Sequence, residues 1–145
     1  MAPAERDRVR PDNQITGNIG LYFSCYKLSM LGWNVMPTSR NARGVDIIAY
    51  SRDATRFRGI QIKTTSKRNA VPLGNTLDKI MGDFWIVVNS APDSHPSAYI
   101  FHPAEVLQFA NRNEKEGKPS YWLEYKTYSQ ALYGEAWDRI GRGDI

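Results

Sequence analysis

The sequence predicts an α+β domain in which a mixed sheet is flanked by helices. Its 145 residues suffice for one sizeable core and are too few for two ordinary ones. A helical repeat over residues 17–31 is followed at once by three short β-rich runs, an order that favours strands grouped after a helix. One later run, residues 84–89, is apolar throughout, as in a central strand covered on both faces.

Residues 1–13 are charged, contain two prolines and lack periodicity, so they read as a flexible arm ahead of a single domain over 14–145. Thr16 is placed to cap the first helix. Ile19, Tyr22, Phe23, Tyr26 and Met30 recur at helical spacing as its apolar face, and Gly32 ends it. Runs 33–37, 45–50 and 57–64 are rich in β-formers and bounded by Ser, Asn, Gly and Asp. The third alternates, with Ile60 and Ile62 on one face and Gln61 and Lys63 on the other. Residues 71–81 read as a loop leading to a short helical turn, and 98–101 as a further strand. Pro103 opens a helix over 103–112, followed by an exposed loop at 113–120. A short strand at 121–125 and a short helix at 136–140 complete the tail.

The net charge of +4 is modest, but its distribution is uneven. Residues 38–68 carry eight Lys or Arg against Asp46 and Asp53, whereas 69–145 is net acidic. A positive field concentrated in one third of the chain suits a polyanion, and equally describes a solvated, charge-rich hairpin. One cysteine, Cys25, excludes an internal disulfide and fits a reducing cytoplasm. No stretch approaches the ~20 apolar residues of a membrane helix, so no membrane partner is expected. His95 and His102 have no ligand-spaced partner and read as surface residues.

If 51–56 is a hairpin loop, Tyr50 faces Phe57, and counting back in register brings Asp46 opposite Gln61, with Lys63 two residues further on the same face. A bulge would break that count. Phosphodiester hydrolysis needs a divalent cation held by oxygen ligands and a group to offset charge on the phosphate. Asp46, the Gln61 amide oxygen and the Ile62 carbonyl are candidate metal ligands, and Lys63 the candidate charge-offsetting group. Gln-x-Lys is also an ordinary solvent face of a strand, so these residues alone leave both readings open.

The segment from Gly17 to Lys67 resembles the core of the PD-(D/E)xK nuclease superfamily. The resemblance rests on the Gly-rich opening of the first helix, the 33–37 strand, Gly44-Val45-Asp46-Ile47-Ile48-Ala49 and Ile60-Gln61-Ile62-Lys63-Thr64. It is nearest to small PD-(D/E)xK endonuclease-like proteins and more distant from Holliday-junction resolvases. It implies a restriction-endonuclease-like αβββαβ core with C-terminal additions. It also implies a Mg²⁺- or Mn²⁺-dependent site in which Asp46, Gln61 and Lys63 are catalytic, and DNA as the partner. Arg40, Arg43, Lys67 and Arg68 flank that site as phosphate contacts. The motif departs from the family's pattern twice: Gln61 stands at the acidic position of the triplet, and Leu21 where the first helix commonly brings a glutamate. No Glu occurs between Glu5 and Glu105. The resemblance therefore leaves two functions in view, a weakly active nuclease and an inactive member that binds nucleic acid or a protein in an immunity or antitoxin role. A homodimer or a complex with a protein partner is compatible with either.

Overall fold

The computed structural model describes residues 13–39, 44–91 and 93–145. Helix α1 (Asn13–Met30) leads into an antiparallel meander of β1 (Asn34–Pro37), β2 (Ile47–Tyr50) and β3 (Phe57–Thr64). The chain leaves this sheet for β4 (Val71–Gly74), then returns as β5 (Phe84–Asn89), parallel to β3, with β6 (Ser97–Phe101) antiparallel beside it. The resulting mixed sheet has the order β1-β2-β3-β5-β6. After α2 (Pro103–Phe109), β7 (Asn111–Lys115) and β8 (Lys118–Leu123) join β4 in a second, antiparallel sheet of order β4-β8-β7. A short α3 (Tyr125–Tyr128) and a 3₁₀ turn at Trp137–Arg139 follow.

Strand alternation divides the core into two clusters on opposite faces of the five-stranded sheet. Phe84, Ile86 and Val88 of β5 join Ile47, Ile60, Ile100 and Leu28 of α1 in one. Trp85 and Val87, one residue out of phase, join Phe101, Val106, Leu123 and Tyr128 in the other. All six residues of β5 are buried, as its unbroken apolarity predicts. Ile60 and Ile62 of β3 face the first cluster, so Gln61 and Lys63 face the second.

Helix α1 packs differently from expectation. It starts at Asn13, so Thr16 lies inside it, buried, and does not cap it. The rest of the expected arm, 1–12, lies outside the described residues. The buried stripe is Thr16, Gly20, Ser24 and Leu28, while Tyr22 and Tyr26 are 63% and 60% exposed. Small residues win because the helix sits close on β3: a Cβ at Gly20 would come within 1.9 Å of Thr64 Oγ1. Ser24 returns its hydroxyl to the Gly20 carbonyl at 2.7 Å, so that buried hydroxyl is not an unpaired donor. Of the aromatics, Phe23 finds cover at the helix flank, edge-on to Trp137.

Three further elements differ from the sequence reading. Residues 71–74 form a strand paired with β8, and only a turn at Leu77–Ile80 remains of the helical segment. The β3-to-β5 crossover is thus carried by a strand and turns where the αβββαβ scheme has a helix. The helix opened by Pro103 stops at Phe109, and the presumed exposed loop is the β7–β8 hairpin. Glu116 and Gly117 form its turn, both at positive φ (54° and 76°), the geometry of a tight two-residue hairpin. Charged, solvated strands lack the apolar alternation by which strands are recognised, which is why this hairpin read as a loop. The strand expected at 121–125 ends at Leu123, and the helix expected at 136–140 is the 3₁₀ turn.

Candidate functional site

Within the hairpin the register is the one the loop length predicts: Tyr50 faces Phe57 and Ile47 faces Ile60. It breaks at Asp46. The Asp46 N–H donates to the Ile60 carbonyl at 2.8 Å, so Asp46 and Ile47 both stand against Ile60. That is a bulge, and regular pairing of Asp46 with Gln61 does not occur. The side chain compensates. With β2 ended, the Ile62 N–H has no strand partner on that side, and Asp46 Oδ2 accepts it at 2.7 Å. Oδ1 accepts no hydrogen bond among the described residues. Gly44 permits this entry to β2: its φ is +80°, and a Cβ there would meet the Met81 sulfur at 2.3 Å.

Two adjoining hollows open at this end of the hairpin, and Asp46, Ile62 and Lys63 line both. The smaller, about 240 Å³, is also lined by Gln61, Lys79, Ile80 and Trp85. The larger, about 520 Å³, is bounded by α1 through Asn18 and Leu21 and by Thr38, Ser39 and Thr64. The three predicted side chains therefore converge on one hollow despite the bulge. Their states differ. Lys63 has no ion pair or side-chain hydrogen bond among the described residues. Gln61 is buried, and its Oε1 accepts the Trp85 indole N–H at 2.5 Å and the Met81 N–H at 3.4 Å. Both lone pairs of that oxygen are occupied by protein.

Among the described residues, Asp46 is the sole carboxylate lining either hollow, and no group of three or more His, Cys, Asp or Glu stands together. Leu21 occupies the wall from which the first helix would present an acid. Such a donor set suits a hydrated Mg²⁺ or Mn²⁺ held by one carboxylate and completed by water and phosphate, and does not suit an all-protein cage.

Of the four expected phosphate contacts, Arg40 and Arg43 lie outside the described residues, while Lys67 and Arg68 are exposed just beyond β3. The rest of the basic stretch is elsewhere. Arg56 and Arg58 stack over Trp33 at 5.3 and 5.9 Å, at the turn end of the hairpin. Lys79 was missed by sequence reasoning, because its segment has no periodicity and only the crossover carries it back to the hollow. His95 and His102 are exposed as expected; the His102 ring lies against Phe84. Cys25 is half-buried on α1, and burial pushes its thiol pKa up.

No protein family's sequence profile and no curated protein matches the chain. Solved structures do. The bacterial homing endonuclease I-Ssp6803I superposes with a TM-score of 0.59 over 90% of this chain and 92% of its own, at 15% sequence identity. The Holliday junction resolvase Hjc of Archaeoglobus fulgidus, an archaeal hyperthermophile, matches with a TM-score of 0.47 over 74% of this chain and 90% of its own, at 14% identity. At these identities the likeness is one of fold. The chain has the restriction-endonuclease-like fold, as its motif order implied. Among the described residues, no helix is long and apolar enough to cross a membrane.

Proposed function

We propose that this protein hydrolyses phosphodiester bonds of DNA with Mg²⁺ or Mn²⁺, at the open end of the β2–β3 hairpin. The observation that carries the reading is the pairing of an uncommitted carboxylate oxygen with an unpaired ammonium in one hollow. Asp46 Oδ1 and the Ile62 carbonyl would hold the ion, and substrate phosphate would add negative charge that the described lining lacks. The chemistry such an ion would supply there is polarisation of the phosphate and acidification of an attacking water. Lys63 directs its ammonium at the oxygens on which charge accumulates, and Lys79, across the same hollow, holds the phosphate electrostatically. Gln61 orients the site through Trp85 without giving up its oxygen. Lys67 and Arg68 extend the track for the strand.

A specific observation favours a second reading. Gln61 Oε1 is committed to Trp85, and Leu21 fills the place of an acid, so the site has lost ligands while keeping its shape. On that reading the chain binds nucleic acid, or a protein partner in an immunity-type role, without cutting.

Incubation with plasmid, branched and single-stranded DNA in Mg²⁺ and in Mn²⁺ separates the two. Under the first reading wild type nicks, and Lys63→Ala lowers the rate roughly 10²-fold or more while melting as wild type does. Absence of cutting on every substrate in both metals would reject catalysis and leave binding.

A further inference from the structure

The two hollows differ in a way that assigns them different parts of a DNA strand, an assignment that rests on the nuclease reading above. The smaller carries Lys63 and Lys79 against Asp46, a cationic lining suited to phosphate. The larger balances Lys63 with Asp46, and among the described residues the rest of its polar wall is neutral: Asn13, Gln14, Asn18, Thr38, Ser39 and Thr64. The three amides carry no hydrogen bond among the described residues, so each presents both donors and an acceptor. Thr38 already donates its hydroxyl to the Val45 carbonyl at 2.5 Å, which leaves that oxygen as an acceptor. Leu21 and Ile62 supply the apolar part. A neutral wall with mixed donors and acceptors, an apolar patch and about 520 Å³ of room matches a nucleoside better than a phosphate.

We infer that the larger hollow receives one unpaired nucleoside of DNA, next to the phosphate bound over Asp46 and Lys63. In a continuous duplex every base is stacked and paired, and no group of that size projects from the backbone. The substrate class is then DNA with a splayed nucleotide, either single-stranded or at a branch. Gly17 provides the means to test this. It lies in the wall of the larger hollow, and a Cβ there would meet nothing within 4 Å. A bulky residue at Gly17 enters open space, and replacing a helical glycine favours folding.

Binding is measured by fluorescence anisotropy in Ca²⁺, with a labelled single strand and a duplex of the same sequence, across a salt series. Gly17→Leu is expected to weaken single-strand binding about tenfold, with duplex affinity and melting temperature at or above wild type. Gly17→Ala, which adds one methyl group, retains single-strand binding. Lys79→Ala weakens both ligands and lowers the salt slope by about one. If Gly17→Leu folds and binds the single strand as wild type does, or weakens duplex equally, the nucleoside assignment is wrong while the nuclease reading stands. If wild type binds neither DNA, both fall.

Discussion

The two ends of the β2–β3 hairpin are built from similar residues and finished in opposite ways. At the turn end, Asp53 Oδ1 accepts three hydrogen bonds, from the Ser51 hydroxyl (2.7 Å), the Thr55 hydroxyl (2.8 Å) and the Thr55 N–H (3.2 Å). Arg56 and Arg58 lie over Trp33, whose indole N–H donates to the Gly141 carbonyl at 2.8 Å. The Gly143 carbonyl accepts the Arg52 N–H, and the Ile145 backbone oxygen accepts from Arg56. At the open end, Asp46 keeps one oxygen uncommitted and Lys63 is unpaired among the described residues. Charges with local partners at one end hold a turn, and charges at the other are left open to the hollow. The same charge type is thus tied up or left open according to what the fold brings next to it.

Asp46 tests the contrast most severely. Asp46→Ala leaves the Ile62 N–H without its acceptor, which is expected to cost about 1–3 kcal/mol in denaturant unfolding. Asp46→Asn keeps that acceptor and loses the charge, so it is expected to fold like wild type and lose metal binding and nicking. Equal destabilisation by the two would show that the carboxylate's charge, not its hydrogen bond, supports the hairpin end.

Leu21→Glu sharpens the open end further. Because Leu21 lines the same hollow as Asp46, a carboxylate there is expected to tighten Mn²⁺ binding roughly tenfold by calorimetry. A folded variant with unchanged affinity would mean that the helix wall does not face the ion.

At the turn end effects are smaller. Arg56→Ala removes a cation over Trp33 and is expected to lower stability by about 0.5–1 kcal/mol without altering DNA affinity at any salt concentration. A change in DNA affinity would place the turn end in the interface and dissolve the comparison. Finally, the hydrogen bonds from Ser51 and Thr55 hold the Asp53 pKa down, from its ordinary 3.8 to about 2. A carboxyl depressed by folding contributes stability above its unfolded value and surrenders it as pH falls through the folded one. Acid unfolding of wild type should therefore steepen between about pH 4 and pH 2. Asp53→Asn should flatten that window and leave the curve above it unchanged in shape; an unaltered curve would show the turn's hydrogen bonds do not act on folding.

Much of this was legible from local pattern. Alternation of Ile60 and Ile62 with Gln61 and Lys63 put the last two on one face, and the apolar run 84–89 announced a strand buried on both sides. A six-residue loop set the hairpin register, because turn length and pairing are coupled. These features depend on near neighbours, and a sequence carries near neighbours explicitly.

What depended on distant residues could not be read that way. Hydropathy pointed to Tyr22 and Tyr26 as the inner face of α1, but Gly20 against Thr64 turned the small residues inward, since close approach is decided by the partner surface. The Trp85 bond on Gln61, the arrival of Lys79 and the stacking of Arg56 and Arg58 on Trp33 follow from the crossover and the packing of the sheet. The residue types were given by the chain; whether each charge meets a partner or an open hollow was decided by tertiary packing, because electrostatic and steric contacts act through space and not along the backbone.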